Sequence, residues 1–462
     1  MLDLQLDWLA PKPQEAGICI IDAIGSGPSD ETVDIVEMHI QVGELIQRGD
    51  VVATVEATKS VFDITSPEDG SVEEVFASEG QTVPVGEPLV RLVMEESSQR
   101  TRPLTQEQSG TPVLTRDKSV TTFKIPHMTV EKTALQVGLS EVSVVTGSRV
   151  VSNEELLVSH SDMTPGDIIR RTGIEHRNWA QNEEDAVNMA VAAAWKLLEQ
   201  EKLIADDLDL VICSTTTPTS VTPSMACRVL NGLSLGDSET MIQAYDISAA
   251  CSGYLYALQA GYDFLQSTPQ GRVMVVTAEV LSPLLDMSDF DTAILFGDAT
   301  TATLLYGENH FSRSVASLHR PDLSAKGEDG STLSVPLMND GFIQMKGTRV
   351  FTEAVRSMIS SLTRACERDG IAVDDLSMVV PHQANQRIID AIQSRINPQV
   401  FSNIRHYGNT SSSSIPLCLH DLLPGAELGD RFGLCAFGGG FTFGAGIIEA
   451  HGNGSSKPKK ST

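Results

Sequence analysis

Between residues 121 and 451 two periodicities alternate along the chain. Val187, Ala190, Val191, Ala194 and Leu198 recur at the three-to-four spacing of a single helical face, and Val355, Met358, Ile359, Leu362 and Ala365 do so again. Short, mainly apolar runs stand between and around them: LVIC at 210–213, VMVVTA at 273–278, AILF at 293–296 and MVV at 378–380, which read as buried strands. Interleaved helical and extended segments of this kind predict a layered α/β domain over 120–451. The pattern shows no strong internal repeat. Residues 1–95 are built differently: segments at 33–42, 50–56, 62–66, 71–76 and 89–93 are separated by Gly, Pro, Asp and Ser, the spacing of a small all-β unit. From 96 to 119 the composition turns to Ser, Thr, Gln, Pro, Arg and Glu and predicts a flexible linker, and 452–462 predicts a disordered tail.

Charge sharpens this division. The whole chain of 462 residues carries a net −28, and residues 1–95 alone hold 19 Asp and Glu against 4 Lys and Arg. Such acidity disfavours nucleic acid or an anionic membrane surface as the main partner. The first twenty residues, with Asp3, Asp7 and Glu15 against Lys12, do not suit a secretory or mitochondrial leader, and no apolar run approaches the length of a membrane span. The seven cysteines are odd in number, far apart and without a C-x-x-C pair, so neither a disulfide framework nor a metal site is expected. A reducing cytoplasm is the expected compartment.

Candidate chemistry lies in the α/β region. In AYDISAACSGYLYALQAGYDFL (244–265) a strand runs through small residues into a helix, which sets Cys251 at a helix N-terminus, where the dipole favours thiolate. Two polar loops, each following a strand-like run, carry His382 (VPHQANQRII, 380–389) and Asn409 (HYGNTSSSSIP, 406–416) and can converge on one thiol. In AFGGGFTFGAGII (436–448) the backbone N–H groups of Gly438, Gly439 and Gly440 could approach a ligand as an oxyanion hole requires. Taken singly, each also suits a structural role: a small buried thiol, a core histidine, a turn asparagine, a glycine turn between strands.

Taken in order, RTGIEHR (171–177), the Cys251 segment, LFGDAT (295–300), PHQANQRI, HYGNTSSSSIP and AFGGGFTFGAG resemble the β-ketoacyl-acyl carrier protein synthase III family of the thiolase superfamily, over about 120–450. The resemblance implies an acyltransferase with a five-layer α/β/α/β/α thiolase-like fold, usually a homodimer, with Cys251, His382 and Asn409 as a catalytic triad. By it, Cys251 takes the acyl group as a thioester and its N–H joins one from the glycine turn, Gly439 or Gly440, as the oxyanion hole. His382 and Asn409 stabilise the enolate of a malonyl-type thioester as carbon dioxide leaves, in fatty acid or polyketide biosynthesis. Asn rather than an acid at 409 favours this condensation over the alternative, a same-fold acyltransferase that makes an ester or an amide. Arg171, Lys346, Arg349, Arg356, Arg387 and Arg395 fall at or near positions that the family uses for coenzyme A or for docking acidic acyl carrier protein.

The sequence also departs from that family. The Trp and Arg that sandwich the adenine of coenzyme A are replaced, on alignment of the motifs, by Asp167 and Phe290, so a donor other than acyl-coenzyme A is expected. Thr222 stands where a Phe often closes the partner's acyl pocket, which implies a longer or wider acyl group. In the amino-terminal unit, VEATKS (55–60) with SPEDGSVEEV, QVGELIQRGDVV and EGQTVPVGEPLV resembles the lipoyl and biotinyl hammerhead over about 16–94. Thr58 and Ser60 beside the lysine, where biotinyl domains carry Met, favour lipoyl. Lys59 is then the expected attachment site, and a 2-oxo-acid dehydrogenase component the expected source of the acyl group. A hammerhead that is unmodified and only docks a partner is the alternative.

Overall fold

The computed structural model describes residues 18–24, 32–57, 60–93, 134–159, 163–233, 241–336 and 341–452. The expected linker at 96–119, Lys59 and all of the expected tail but Gly452 lie outside the described residues.

The amino-terminal unit is two small antiparallel sheets face to face. One has the order Ile18–Asp22, Pro88–Val93, Gly70–Val75, Leu45–Ile46; the other has Ser60–Thr65, Val51–Ala57, Thr32–Met38, Thr82–Pro84. Alternation decides which side chains face inward: Val33 and Ile35 point into a core shared with Val52, Val55, Ile64, Leu89 and Leu92. Gly49, at φ +97, makes the tight turn before Val51–Ala57, a backbone conformation that an L side chain resists. The strands that flank Lys59 pair antiparallel with Ala57 opposite Ser60, which leaves a two-residue connection.

The larger unit is organised on one folded sheet. Its main strands are β1 (Gly138–Thr146), β2 (Leu210–Ser214), β3 (Gln243–Ile247), β4 (Arg272–Glu279), β5 (Ala299–Tyr306), β6 (Ala316–Leu318), β7 (Met378–Pro381), β8 (Gln399–Val400), β9 (Arg431–Gly438) and β10 (Thr442–Ala450), and a short eleventh, Asp322–Ala325, pairs with β10. Their spatial order is β3-β2-β4-β5-β1-β6-β10-β9-β7-β8. In β3-β2-β4 the pairing is parallel and from β4 through β5 to β1 antiparallel; β8-β7-β9 and then β10 and β6 repeat the same scheme. The two halves are therefore one topology used twice, although the sequence shows no repeat. Burial and periodicity must match between such halves, whereas residue identity need not.

The helices complete the layers: α1 (Ala186–Glu201), α2 (Gly253–Leu265), α3 (Gly347–Arg368), α4 (Gln386–Gln393) and α5 (Ser414–Leu422). The central pair, α2 and α5, is sandwiched between the halves, where Tyr254, Leu258, Ile415 and Leu419 pack with Ile212, Val275, Leu434 and Ile448. Outside one half, α1 packs on Val211, Cys213 and Met274; outside the other, α3 and α4 pack on Val379, Cys435 and Ile447. Leu210 and Ile212 thus face the centre while Val211 and Cys213 face out, so LVIC is apolar throughout because both sheet faces are covered.

One expected strand is absent. AILF at 293–296 ends the short helix Phe290–Ala293, capped by the Asp289 side chain, and continues as a buried loop rather than a strand. A four-residue apolar run reports burial and not conformation. The Ile294 carbonyl is instead taken by the buried Arg177 guanidinium at 2.7 Å.

Candidate active site

β3 delivers the chain to a 3-10 turn, Ala250–Ser252, that leads directly into α2. Ala250 sits at φ +47, an uncommon conformation for an L residue, and the bend holds Cys251 at the head of the central helix. The helix N-terminus favours thiolate as the sequence implies, yet burial dominates at rest and pushes the Cys251 thiol up to about 12, against the Ser411 hydrogen bond that lowers it. Gly438, the last residue of β9, lies hard against this turn: a Cβ there would fall 2.7 Å from the Cys251 backbone nitrogen. Gly440, at φ +136, carries the glycine turn onward.

His382 follows β7, its backbone N–H bonded to the Cys435 carbonyl at 2.8 Å. Its Nδ1 lies 2.6 Å from the Ser414 hydroxyl, which accepts the Gln383 N–H at 3.3 Å and so keeps its own proton for Nδ1. Burial pushes the imidazole down to about 3, so the ring is neutral and carries its proton on Nε2. Asn409 is oriented in the same manner. Its Oδ1 accepts the Ser411 N–H at 2.9 Å, which leaves the Nδ2 amide as the free donor. Arg177 supports this loop from beneath, since Gly297 and Gly408 pack on its Cβ and it bonds Asn153 at 2.8 Å.

Cys251, His382 and Asn409 line one apolar channel of about 710 Å³, its open mouth included, with walls from Phe296, Leu333, Val350, Phe351, Met358 and Phe437. Arg387 lines the same channel, and exposed Lys346 and Arg349 flank its wall residues Gly347 and Val350. Arg356 and Arg395 are exposed further along α3 and beyond α4, within electrostatic reach of Cys19 and Asp22. Thr222 lies on an exposed loop outside the channel lining. Arg171 stacks over Phe290, 5.6 Å from its ring centroid. Asp167 is occupied as the capping-box residue of the helix Pro165–Thr172, bonded to Thr164 and Arg170. Ser411, Ser414 and Arg177, which the sequence shows only as members of longer motifs, and Glu279 have no role legible there, where a serine run and a lone charged residue look like solvated positions; only tertiary contacts reveal them.

Residues 245–320 match the family described as 3-oxoacyl-[acyl-carrier-protein] synthase III, and 366–450 its C-terminal part. The chain is 38% identical over 286 residues to a β-ketoacyl-[acyl-carrier-protein] synthase III of Aquifex aeolicus, covering 61% of this chain and 89% of that protein. The chain belongs to the β-ketoacyl-[acyl-carrier-protein] synthase III family. It is accordingly an acyltransferase of the decarboxylative condensing type. A second family member, from Clostridium perfringens, is 33% identical over 334 residues, 69% of this chain and 99% of that protein. The crystal structure of the Aquifex aeolicus synthase aligns with a TM-score of 0.62 at 36% identity, covering 68% of this chain and 99% of that one. The priming β-ketosynthase of the R1128 polyketide pathway aligns at 0.63 and 28% identity, covering 69% and 98%. These neighbours bear out the thiolase-like layers. Residues 24–92 match the family described as biotin-requiring enzyme, which supports a lipoyl-type unit ahead of the synthase. Among the described residues no helix is long and apolar enough to cross a membrane, and no cluster of His, Cys, Asp and Glu could hold a metal.

Proposed function

We propose that the chain loads an acyl group onto Cys251 and condenses it with a malonyl-type thioester, using His382 and Asn409 as the enolate's hydrogen-bond donors. The observation that carries this reading is the matched pair of donors: each side chain has its other polar atom tied by a neighbour, at 2.6 Å for His382 Nδ1 and 2.9 Å for Asn409 Oδ1. Loss of carbon dioxide leaves an enolate whose oxygen takes both N–H groups. The enolate carbon attacks the acyl carbonyl, the carbon–sulfur bond breaks, and Cys251 is released. Neutral donors suit a negative oxygen forming in an apolar channel, where a low dielectric strengthens each hydrogen bond to it. Cys251→Ala abolishes acyl loading, and carbon dioxide is released in step with product; a stable acyl adduct on another residue of the variant overturns the assignment.

The donor is read as carrier-bound rather than as acyl-coenzyme A. At the two positions of the adenine sandwich, Asp167 is a carboxylate committed to its helix cap and Phe290 has the Arg171 guanidinium over its ring, so the indole–guanidinium pair that would hold an adenine is not reproduced. Lys346, Arg349 and Arg387 at the channel give an acidic acyl carrier protein a complementary approach. The edge strand β3, with half-exposed Tyr245, suits pairing with a second copy in a homodimer. Residues 1–95 form the carrier unit, joined through 96–119 to the synthase at 120–451. An amine in a two-residue connection between paired strands fits amide attachment, and Lys59 is the residue that would hold a lipoyl group. When bound, that group supplies a thiol able to present an acyl thioester to Cys251 at high effective concentration, charged by a 2-oxo-acid dehydrogenase component. Lys59→Arg stops turnover supported by a 2-oxo acid and spares turnover from a synthetic acyl thioester; equal loss of both refutes this delivery route.

A further inference from the structure

Glu279 ends β4 and is buried between Thr216, on the loop after β2, and Ser412, in the 3-10 turn that leads into α5. Its Oε2 accepts the Thr216 N–H at 3.1 Å and the Thr216 hydroxyl at 2.6 Å, and its Oε1 accepts the Ser412 hydroxyl at 2.5 Å. Every one of these partners is neutral. Hydroxyl contacts this short are those of an ionised carboxylate, and burying one without a cation is costly. What the carboxylate provides that an apolar side chain would not is a span, since it accepts from donors on both loops at once.

The segment that Ser412 belongs to is strained. Ser411 stands at φ +51, an unfavoured conformation for an L residue that persists only where its surroundings over-determine it. Before it in the chain, the Asn409 backbone is fixed elsewhere, its N–H on the Leu295 carbonyl at 2.8 Å and its carbonyl accepting the Gly297 N–H at 3.0 Å. The direction of the Asn409 side chain therefore depends on the Ser411 N–H, which bonds Oδ1 at 2.9 Å and leaves the amide as the free donor. After it, the next side chain, Ser412, is held by Glu279. Ser413 has anchors of its own, the Ala299 carbonyl and the Thr277 hydroxyl, each at 2.8 Å, and Ser414 is on His382. Glu279 thus holds the Asn409 side of the loop, while Ser413 holds the His382 side independently.

We propose that Glu279 is a positioning residue for the condensation step: by clamping Ser412 to Thr216 it keeps Ser411 in its left-handed conformation, and so keeps the Asn409 amide aimed at the enolate oxygen. Without the clamp, Ser411 relaxes toward a negative φ, its N–H turns off Oδ1, and the amide rotates about its side-chain torsions. Glu279 acts through this loop alone, so its loss affects the step that Asn409 serves and spares acyl loading.

The proposal rests on the reading of Asn409 as an enolate donor, and one experiment separates the two. Cys251 of the full chain is loaded from an acyl N-acetylcysteamine thioester, followed by intact-protein mass, and carbon dioxide release from malonyl N-acetylcysteamine thioester is then measured on the loaded protein. Asn409→Ala is expected to lower carbon dioxide release about 10²-fold. Glu279→Ala lowers it about tenfold, as does Ser412→Ala, which cuts the same hydrogen bond from the loop side. Both losses fall on kcat, with KM for the malonyl thioester and the loading rate within about twofold of wild type. Glu279→Gln spans the same gap but turns a donor toward one partner, and recovers part of the loss. In an Asn409→Ala background neither variant lowers the rate further. A merely structural role would lower loading and carbon dioxide release together and would persist in that background. Either of those results overturns the positioning role, as does carbon dioxide release within about twofold of wild type in both Glu279→Ala and Ser412→Ala. Release at the wild-type rate in Asn409→Ala overturns the donor reading itself, and the proposal with it.

Discussion

Gly438→Ala tests how closely the glycine turn is fitted to the nucleophile. The added Cβ would lie 2.7 Å from the Cys251 nitrogen, 3.0 Å from the Ala250 Cβ and 3.1 Å from the Ser252 nitrogen. None of these atoms can rotate away, because each is backbone or a methyl fixed to it. Restoring ordinary contact near 3.5 Å requires about 0.8 Å of movement between the turn and the end of β9. Ala250 is already at φ +47, so the turn has little freedom to yield. A displacement on this scale in a reacting group costs about 10²-fold in rate. Overpacking costs about 1–3 kcal/mol of stability. The assay is the single-turnover rate of Cys251 acylation by a synthetic thioester, with denaturant unfolding alongside. Gly446→Ala is the control, since its Cβ meets only ordinary contacts, Pro321 Cγ at 3.6 Å, Pro321 Cβ at 3.7 Å and Leu255 Cδ2 at 3.8 Å. Acylation of Gly438→Ala within twofold of wild type, with unfolding unchanged, refutes the argument that this glycine sets the position of the Cys251 turn.

Four further predictions concern the enolate donors and their burial. Asn409→Asp keeps an acceptor for the Ser411 N–H but removes the amide donor and adds a negative charge, so malonyl decarboxylation falls about 10²- to 10³-fold while Cys251 still loads; carbon dioxide release and intact-protein mass check the two halves. Ser414→Ala frees His382 Nδ1 and with it the choice of tautomer, so decarboxylation falls about tenfold or more, again with loading retained. His382 stays neutral down to about pH 3, so decarboxylation shows no inflection from it between pH 5 and 8. Its folded pKa is depressed below the unfolded value, so the unfolded chain binds the proton first. The stabilisation is present in full above about pH 6.5 and declines as pH falls toward 3, which denaturant unfolding at several pH values measures.

Much of the architecture was legible in the chain. The helices α1 and α3 were visible as apolar stripes, and β2, β4 and β7 as apolar runs, because a strand covered on both faces admits few polar residues. The hammerhead was visible in its turn spacing and acidity. AILF has the composition of a strand without being one, since the residues around Arg177 are apolar for the sake of burial alone. The duplication of the two sheet halves was invisible, because only their hydrogen-bond pattern and burial are shared.

At the site, residue type and order singled out Cys251, His382 and Asn409, since few side chains can serve as an acyl-accepting sulfur or a neutral donor to an enolate, and each sits in a glycine- or serine-marked loop. Tertiary structure decided the rest. It set the thiol deep enough that burial outweighs the helix dipole. It fixed the imidazole proton through Ser414 and the amide through the Ser411 N–H, and it brought Glu279 from the end of β4 to the Ser412 hydroxyl of the same loop. Protonation, tautomer and side-chain direction depend on the field and hydrogen bonds at one point in space, and residues far apart in sequence meet at such a point only when the chain has folded.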